Sequence, residues 1–537
     1  DKSVLTWQNF GSGTDTIAAG DTLTYTLPSS KSAVLNIVAG GSSSAINGYI
    51  ASNGSVFVLN PNGILVGPSG RFDVNAVVLS TSDNPSFASY YFGQKGRLPS
   101  QDGLINSAAG SIVTSAGALY NVTDNITLVA KNVDIQGALI QKDLNIIADG
   151  TVTLGSTGLA YVTGNTNITN PTGTTTIGAA GVNFIDNGTV VINSTSGTIN
   201  DVATAGFTAK SITANAGTGT INLANVTAPA VTANGGVVTL NISNVAAPTV
   251  SVTANGTLAV TGPGYLTASV YNNSPTATTS VTANGPLVLG DVKVGSAGQT
   301  TFTGTSVKDS VESNFVYGPV LFNATAGDVN ITHNASNSFG PVSVNATGNA
   351  TVYEGAAFNV GNINAGKLTV ATNDFVKETG ALTITNNAAF TAKNDINLNA
   401  AANAVGGITL TGNNVSYVQN GALLLDNITT GGTLSIVSTG AIGQVAGTSI
   451  KSYGNTSFTG NGLTLSNAGN NFGGLSIDVT ANGNATVVED TTLNVINLRA
   501  NNVSLTSNKG SVLTTGAGTI ATGNVAITAA ADVTLNS

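Results

Sequence analysis

Aliphatic and polar residues alternate in short runs along most of the chain. Every second residue is aliphatic in segments such as residues 329–332, 408–411 and 503–506. A period of two is typical of a β-strand with one buried face and one exposed face. Asn-Gly pairs and other glycine-containing turns separate these runs, as expected for strands joined by tight connections. The pattern therefore predicts an all-β fold made of many short strands.

Two repeats of different length run through the sequence. The motif GPVLFNAT at Gly318 returns as GPVSVNAT at Gly340, and the stretch that starts at Gly348 returns at Gly483 without a gap. A short period of about 20 residues with β composition is typical of a solenoid, in which each coil buries its inner face against its neighbours. We predict a right-handed parallel β-helix with about 20–22 residues per coil. The longer duplication, of about 135 residues, then spans about six coils.

Three regions are expected within this β-helix. Residues 1–200 form the first β-helical domain, residues 201–300 a less regular part, and residues 301–537 a repeat shaft that we expect to continue past the last residue. In the middle region we expect irregular solenoid coils, with one or two longer coils or a protruding loop around residues 265–280, or alternatively a small inserted β-element, because proline fits strand edges better than central strands. Tyr265 and Tyr271 in this region are the candidates for an exposed contact surface. The prolines concerned are Pro229, Pro248, Pro263, Pro275 and Pro286.

The scarcity of charge excludes several classes of protein. Charged residues make up 8% of the chain and the net charge is −9, whereas an ordinary globular domain carries about 25% charged residues. This charge is too low for a nucleic-acid-binding surface. With no Cys and one histidine, His333, Cys/His zinc sites and thiol catalysis are excluded, and we expect no cofactor or metal. In stacked coils, neutral Asn, Ser and Thr can form hydrogen-bonded ladders where repeated charges would repel.

An enzyme of the polysaccharide-active β-helix type would need carboxylates within reach of one another. The nearest acidic pairs are Asp309 with Glu312 and Glu489 with Asp490, and Arg499 lies about half a coil beyond Glu489. We therefore expect no catalytic residue and no enzymatic activity. An ice-binding solenoid is a further alternative, but the Thr-x-Thr pairs do not follow a single period.

Some polar residues allow a functional and a structural interpretation. Glu354 and Glu489 occupy equivalent places in the longer duplication. We favour corner carboxylates that shield a sheet edge over a paired functional site. We expect His333 to be an exposed turn residue. Many Asn-x-Ser/Thr triplets occur, and in a chain this rich in Asn, Ser and Thr we attribute them to composition and repeat copying.

The N-terminal segment carries a specific set of motifs. Trp7 and Phe10 form Trp-x-x-Phe, Asn36 follows Leu35 ahead of a Gly-Gly pair, and the pentad Asn60-Pro61-Asn62-Gly63-Ile64 follows a strand-like run. The segment resembles the N-terminal secretion domain of two-partner-secretion exoproteins, the filamentous-haemagglutinin-like adhesins. The resemblance is close over residues 1–83 and loose to about residue 200. The family usually has Arg where this chain has Ile37, and usually has a capping segment before the Trp.

The resemblance implies an exported protein, secreted or at the cell surface, whose partner is an outer-membrane transporter of the two-partner system. It implies an adhesin or structural rod used for attachment, cell contact or biofilm. The alternative is a subunit of an extracellular filament or surface layer that associates end to end or side by side. The sequence does not identify a receptor or glycan. No apolar run approaches the ~18 residues of a membrane-spanning helix, and we expect residue 1 to be a processed end.

Overall fold

The computed structural model describes residues 1–11, 14–83, 110–202, 204, 206–242, 245, 248–262, 264–310, 314–333, 336–480, 482–516 and 518–536. Within these residues all regular structure is β-strand. The chain divides into two compact units, Asp1–Ser274 and Pro275–Ser537. Glu312 and Pro263, which the sequence analysis considered, lie outside the described residues.

The N-terminal unit contains strands β1 to β29. In chain order they are Lys2–Trp7, Thr16–Ile17, Thr22–Tyr25, Ala33–Val38, Ser44–Ile46, Tyr49–Ser52, Ser55–Leu59, Ile64–Val66, Arg71–Val74, Val77–Ser80, Ser111–Thr114, Ala118–Ala130, Asn132–Ile135, Ala138–Ala148, Thr151–Leu154, Ala160–Val162, Thr166–Thr169, Thr174–Ile177, Phe184–Asp186, Thr189–Asn193, Thr198–Asp201, Phe207–Thr208, Ser211–Asn215, Thr220–Thr227, Ala230–Gly235, Val237–Ile242, Thr249–Ala254, Leu258–Gly262 and Leu266–Asn272.

The C-terminal unit contains strands β30 to β60. In chain order they are Thr279–Ala283, Leu287–Val294, Thr300–Gly304, Val307–Asp309, Phe315–Val316, Val320–Ala324, Val329–Ile331, Ser338–Phe339, Val342–Ala346, Ala350–Glu354, Phe358–Ala365, Leu368–Thr372, Val376–Glu378, Leu382–Ala392, Ile396–Leu398, Ala404–Gly412, Val415–Gln419, Leu423–Thr430, Leu434–Ser438, Ala441–Gln444, Ile450–Ser452, Thr456–Gly460, Gly462–Leu465, Gly474–Val479, Ala485–Glu489, Leu493–Ala500, Val503–Ser507, Val512–Thr514, Thr519–Ala521, Val525–Ala529 and Val533–Leu535.

Each strand pairs in parallel with the equivalent strand of the next coil. Ala350 lies opposite Leu368, whereas Thr166 lies opposite Val190, so the coil that starts at Thr166 is the longer of the two. Parallel strands require a connection that carries the chain back to the same end, and here further strands and their corners supply it. The predicted all-β fold and parallel β-solenoid are confirmed, and the coil length varies more than the sequence period indicated.

The interior of each unit is filled by the aliphatic side chains that point inward from most of its strands. In β36, Val329 and Ile331 are buried and Asn330 between them is exposed, as the alternation predicted. Aromatic side chains stack from coil to coil, and the Phe302 and Phe322 ring centroids are 5.8 Å apart. Like residues stack because each coil repeats the register of the one before it, which gives a continuous core.

The proline-containing region is also built from solenoid coils. In the N-terminal unit, β25 pairs with β27 and β27 pairs with β29, all in parallel. Residues 266–272 therefore form a regular strand, which favours solenoid coils over a protruding loop within that segment. Tyr265 is 38% exposed, and Tyr271 is half-buried on β29, opposite Thr253. The expected contact surface at these two tyrosines, and the expected division into three domains, stay predictions.

Candidate functional site

The Asn-Pro-Asn-Gly-Ile pentad forms the corner between β7 and β8. The strand Ser55–Leu59 ends in a run of buried side chains, and Pro61 then favours a turn because its ring fixes φ. Gly63 has φ 123°, a conformation that glycine adopts readily. Ile64 is buried and opens the next strand opposite Ser44. The order of residues in the pentad therefore fits a corner that ends one strand and begins the next.

Asn60 connects this corner to the preceding coil. Its side chain is fully buried, and its Nδ2 donates to the Ser42 carbonyl at 2.9 Å and to Ser44 Oγ at 2.8 Å. Its Oδ1 accepts from the Asn62 backbone N–H at 2.9 Å. The Asn62 side chain donates in turn to the Gly40 carbonyl at 2.8 Å. A buried amide that satisfies both its donor and its acceptor stabilises one geometry and disfavours others.

Trp7, Phe10 and Asn36 meet at a second position in the same domain. Trp7 Nε1 donates to Asn36 Oδ1 at 2.9 Å, and Tyr25 Oη donates to the same oxygen at 2.7 Å. Asn36 Nδ2 donates to the Phe57 carbonyl at 3.1 Å. The Trp7 and Phe10 rings pack edge to face at 5.6 Å. Burial raises the pKa of Tyr25, so its hydroxyl remains a donor.

The departure at Ile37 is accommodated by packing. Ile37 is half-buried and packs against a cluster of buried apolar side chains. A charged side chain at this place would lie against apolar neighbours, which is unfavourable without a partner. Isoleucine therefore fits the surroundings that this chain provides. The cluster consists of Leu35, Phe57, Leu59, Val78, Val129 and Ile147.

Glu354 and Glu489 do not shield sheet edges, and that expectation is wrong. Both side chains are buried, with 1% and 0% exposure. Glu354 Oε1 accepts the backbone N–H of Phe339, and Glu489 Oε1 accepts that of Phe472 at 3.2 Å. The side chains point inward because a corner leaves backbone N–H groups without ladder partners, and a buried donor needs an acceptor.

The same arrangement occurs a third time, at a place that sequence reasoning missed. Gln419 is buried, and its Oε1 accepts the backbone N–H of Val405 at 3.2 Å. Gln419 lies near the middle of the interval between Glu354 and Glu489, but not at its centre. The change from Glu to Gln and the uneven spacing hid the relation. The signal that would have found it is an Asn two positions before the donor, at Asn403 as at Asn337 and Asn470.

Each of these residues belongs to a group of three buried or half-buried polar side chains, which we call a corner triad. In every triad the central Asn Nδ2 donates to the first member, at 3.2, 3.1 and 3.0 Å. The Asn Oδ1 accepts a backbone N–H, at 2.8, 2.9 and 2.9 Å. The three corner triads are Asp309–Asn337–Glu354, Glu378–Asn403–Gln419 and Gln444–Asn470–Glu489.

The other acidic residues considered for catalysis point apart. Asp490 pairs with Lys509 at 2.9 Å and Arg499 with Asp478 at 3.5 Å, both at the surface, whereas Glu489 points into the core. Arg499 therefore lies away from Glu489, as expected. His333 is exposed as predicted, although its Nδ1 lies 3.7 Å from Asp309 Oδ1 of the preceding coil. In the described residues no three His, Cys, Asp or Glu side chains are grouped closely enough to hold a metal ion.

The outer faces carry neutral side-chain ladders of the predicted kind. Asn215 Nδ2 donates to Asn193 Oδ1 at 2.9 Å, and Asn234 Nδ2 donates to Asn215 Oδ1 at 2.8 Å. In the C-terminal unit, Asn345 Nδ2 donates to Asn323 Oδ1 at 2.9 Å. Identical side chains in register replace the charges of an ordinary surface, which is why the chain needs so few.

Comparison with known protein families identifies two parts of the chain. Residues 1–239 match the family model of the TPS secretion domain. Residues 347–411 and 412–478 match a family described as repeats of unknown function. No curated protein matches the chain significantly. The N-terminal part belongs to the two-partner-secretion domain family, and with the repeat β-solenoid it has the organisation of a filamentous-haemagglutinin-like two-partner-secretion exoprotein.

This identification confirms the resemblance seen in the sequence. A secretion domain of this family directs the protein to the cell surface or the extracellular space and implies an outer-membrane transporter as partner. Among the residues that the structure describes, none forms a helix long and apolar enough to cross a membrane. The two repeat matches also fit the spacing of the corner triads, since the interval from Glu354 to Glu489 has about the length of two such repeats.

Proposed function

We propose that this chain is an exported structural rod that serves as an adhesin in attachment, cell contact or biofilm. The match of residues 1–239 to a secretion domain, ahead of a repeat solenoid, carries the proposal. The neutral Asn ladders and the acidic groups that point apart support a mechanical role over an enzymatic one. Surfaces covered with neutral Asn, Ser and Thr side chains can form many weak polar contacts with a partner surface. Binding of this kind requires no reactive group.

We further propose that the β7–β8 corner and the Trp7–Asn36 contact are the parts of the secretion domain on which recognition by the transporter depends. Support comes from their geometry. Asn60 and Asn36 each connect neighbouring coils through buried hydrogen bonds. Both contacts are made by motif residues that carry the resemblance to the secretion domain and that lie within the matched residues 1–239.

The test uses cells that express the chain with its transporter. Antibody labelling of intact cells measures export, and adhesion to a coated surface or to other cells measures attachment. We expect deletion of the chain to abolish attachment. Deletion of the transporter alone should abolish both export and attachment. Unchanged attachment in the strain that lacks the chain, when the parent strain exports it normally, would contradict the adhesin proposal.

A subunit of a polymerising filament is the alternative. Electron microscopy of the purified exported protein distinguishes the two, since a filament subunit gives continuous fibres and an isolated adhesin gives discrete particles. Continuous fibres would replace the isolated-adhesin proposal with the filament, while leaving the secretion assignment intact.

A further inference from the structure

The three corner triads provide a comparison within one chain. Glu354, Gln419 and Glu489 occupy the same place, and in each case the side-chain Oε1 accepts a backbone N–H from the residue two after the central Asn. The backbone also agrees, because the residue after Glu354, Gln419 or Glu489 donates its N–H to the carbonyl of that Asn, at 2.8, 2.8 and 3.0 Å. At this third position the chain therefore has a neutral amide in one corner triad and a carboxyl group in the other two.

The second terminal atom of each side chain, Nε2 in Gln419 and Oε2 in the two glutamates, distinguishes the corners. Gln419 Nε2 donates to the Val405 carbonyl at 3.1 Å and also to the Ala422 carbonyl. The equivalent atoms, Glu354 Oε2 and Glu489 Oε2, are buried and have no hydrogen-bond partner among the described residues. In the Gln419 corner the surroundings of this atom accept hydrogen bonds and do not donate them. An ionised carboxylate can only accept, so it does not match such a place, whereas a protonated carboxyl group has an O–H to donate.

We propose that Glu354 and Glu489 are neutral carboxylic acids in the folded repeat solenoid, each with its O–H at the place that Gln419 Nε2 occupies. The third position of the corner triad then holds a proton in two of the three corners. Folding and proton uptake are coupled, and the solenoid becomes less stable as the medium turns from acidic to alkaline. The two carboxyl groups make the C-terminal unit a pH-responsive element.

Electrostatics supports the geometry. Burial raises the pKa of Glu354 to about 8, against the lowering effect of the Phe339 N–H. Burial likewise raises the pKa of Glu489 to about 7, while hydrogen bonds from Thr491 and Phe472 lower it. A buried carboxyl group without a cationic partner favours its neutral form.

The groups that face these carboxyls do not provide a compensating charge. Around Glu354, strands β36, β37, β40 and β41 carry no titratable side chain. Asn337 of the same corner donates to Asp309, and the exposed His333 lies 3.7 Å from Asp309. Around Glu489, strands β52 and β56 carry none. On β55 the cation Arg499 pairs with Asp478, and Asp490 pairs with Lys509.

The direction of the pH effect follows from the folded and unfolded states. The Glu354 pKa rises from 4.5 in the unfolded chain to about 8 when folded. Between these values the folded state holds a proton that the unfolded state has lost. Stability is therefore full below about pH 4.5, falls as the pH rises, and levels off above about pH 8.

The experiment replaces both carboxyl groups with the amide that the chain already uses in the third corner. Full-length protein with Glu354→Gln and Glu489→Gln is unfolded with denaturant at a series of pH values, alongside the unchanged protein. Hydrogen-exchange mass spectrometry of peptides from residues 275–537 reports local stability. At low pH we expect the double variant and the unchanged protein to have similar stability. Near pH 8 we expect Glu354→Gln alone to raise the folding equilibrium constant of this unit by roughly 10²–10³-fold.

Two controls test whether the corner itself is responsible. Gln419→Glu places a carboxyl group at the third position of the remaining corner triad and should introduce a further loss of stability with rising pH. Asp478→Asn removes a carboxylate of the same unit that is 47% exposed and should leave the pH profile unchanged. A pH profile that Glu354→Gln and Glu489→Gln leave unaltered, or one that Asp478→Asn alters equally, would overturn the proposal.

Infrared spectroscopy provides a second readout that does not depend on a variant's stability. In protein labelled with ¹³C-glutamate, protonated carboxylic acids give a C=O band separate from that of carboxylates. We expect this band near neutral pH in the folded protein, and we expect it to weaken as the pH is raised past about 8. Only carboxylate bands in the folded protein near neutral pH would contradict the proposal.

Discussion

The two units of the molecule share one fold but satisfy their buried polar groups in different ways. In the N-terminal unit, Asp186 and Asp201 use both carboxyl oxygens as acceptors. In the C-terminal unit, Glu354, Glu378 and Glu489 each leave one oxygen without a partner. Of the unpaired buried side-chain atoms among the described residues, only Asn170 Oδ1 belongs to the N-terminal unit.

The difference shows how sequence repetition limits local optimisation. The secretion domain has unique corners, in which residues such as Asn36 and Asn60 are each matched to one set of partners. The repeat unit uses one corner design three times, and small changes such as Glu to Gln adjust each copy. A repeated corner keeps its shape, but it does not always satisfy every polar atom.

The largest effect is expected from the core, and it tests whether the two units unfold independently. Phe322 is fully buried between Phe302 and Phe339, at 5.8 and 5.5 Å between ring centroids. Phe322→Ala should cost about 3–5 kcal/mol because it leaves a cavity. Hydrogen exchange should rise in peptides from residues 275–537, with little change in Trp7 fluorescence. Phe315→Ala, at a side chain that is 44% exposed, is the control.

The secretion-domain corner should depend strongly on a single amide. Asn60→Ala removes four side-chain hydrogen bonds and leaves the Asn62 N–H and Ser44 hydroxyl without their buried partner, at a cost of about 2–3 kcal/mol. Trp7, the only tryptophan in the chain, reports unfolding of this region by fluorescence. We expect lower stability together with reduced export.

The control for this substitution is Asn193→Ala on the outer face, where the side chain accepts one bond from Asn215. It should leave export unchanged. Normal export of Asn60→Ala would separate the stability of the corner from its proposed role in secretion.

A third prediction compares the pH dependence of the two units. Burial raises the pKa of Asp186 from 3.8 to about 6, despite hydrogen bonds from Thr166 and Gly188. The N-terminal unit should therefore lose stability between about pH 4 and 6 and change little above that, whereas the C-terminal unit should continue to lose stability up to about pH 8. Asp186→Asn should remove about 2 kcal/mol of this loss.

Regional hydrogen exchange as a function of pH provides the measurement. Loss of stability over the same pH range in both units would show that their buried carboxyl groups behave alike and would contradict this prediction.

The smallest effect is expected at the surface. Arg499 and Asp478 are 57% and 47% exposed, and their closest atoms are 3.5 Å apart. Because water screens such a pair, Arg499→Ala should change the denaturant midpoint by no more than about 0.5 kcal/mol in equivalent free energy. An effect near that of Asn60→Ala would mean that surface charge matters more in this solenoid than its composition indicates.

The sequence was most informative where a residue's role depends on its own coil. The alternation of aliphatic and polar residues predicted the strands, since a period of two places side chains on opposite faces whatever the neighbours are. The corner at Asn60–Ile64 was predicted from the conformations that Pro61 and Gly63 allow. Glu354 and Glu489 were recognised as equivalent, but their inward direction depends on backbone donors at Phe339 and Phe472 in the preceding coil.

By itself, the sequence determined the fold class, the repeat and the family of the N-terminal domain, because these follow from local periodicity and from motifs within a short stretch. Only the tertiary structure decided which polar residues are buried. Asp309, Asn337 and Glu354 lie far apart along the chain, and stacking of successive coils brings them into one corner. The sequence around a corner carboxyl group is the same whether the side chain faces water or the core. Its protonation state depends on that environment, which only the tertiary structure shows.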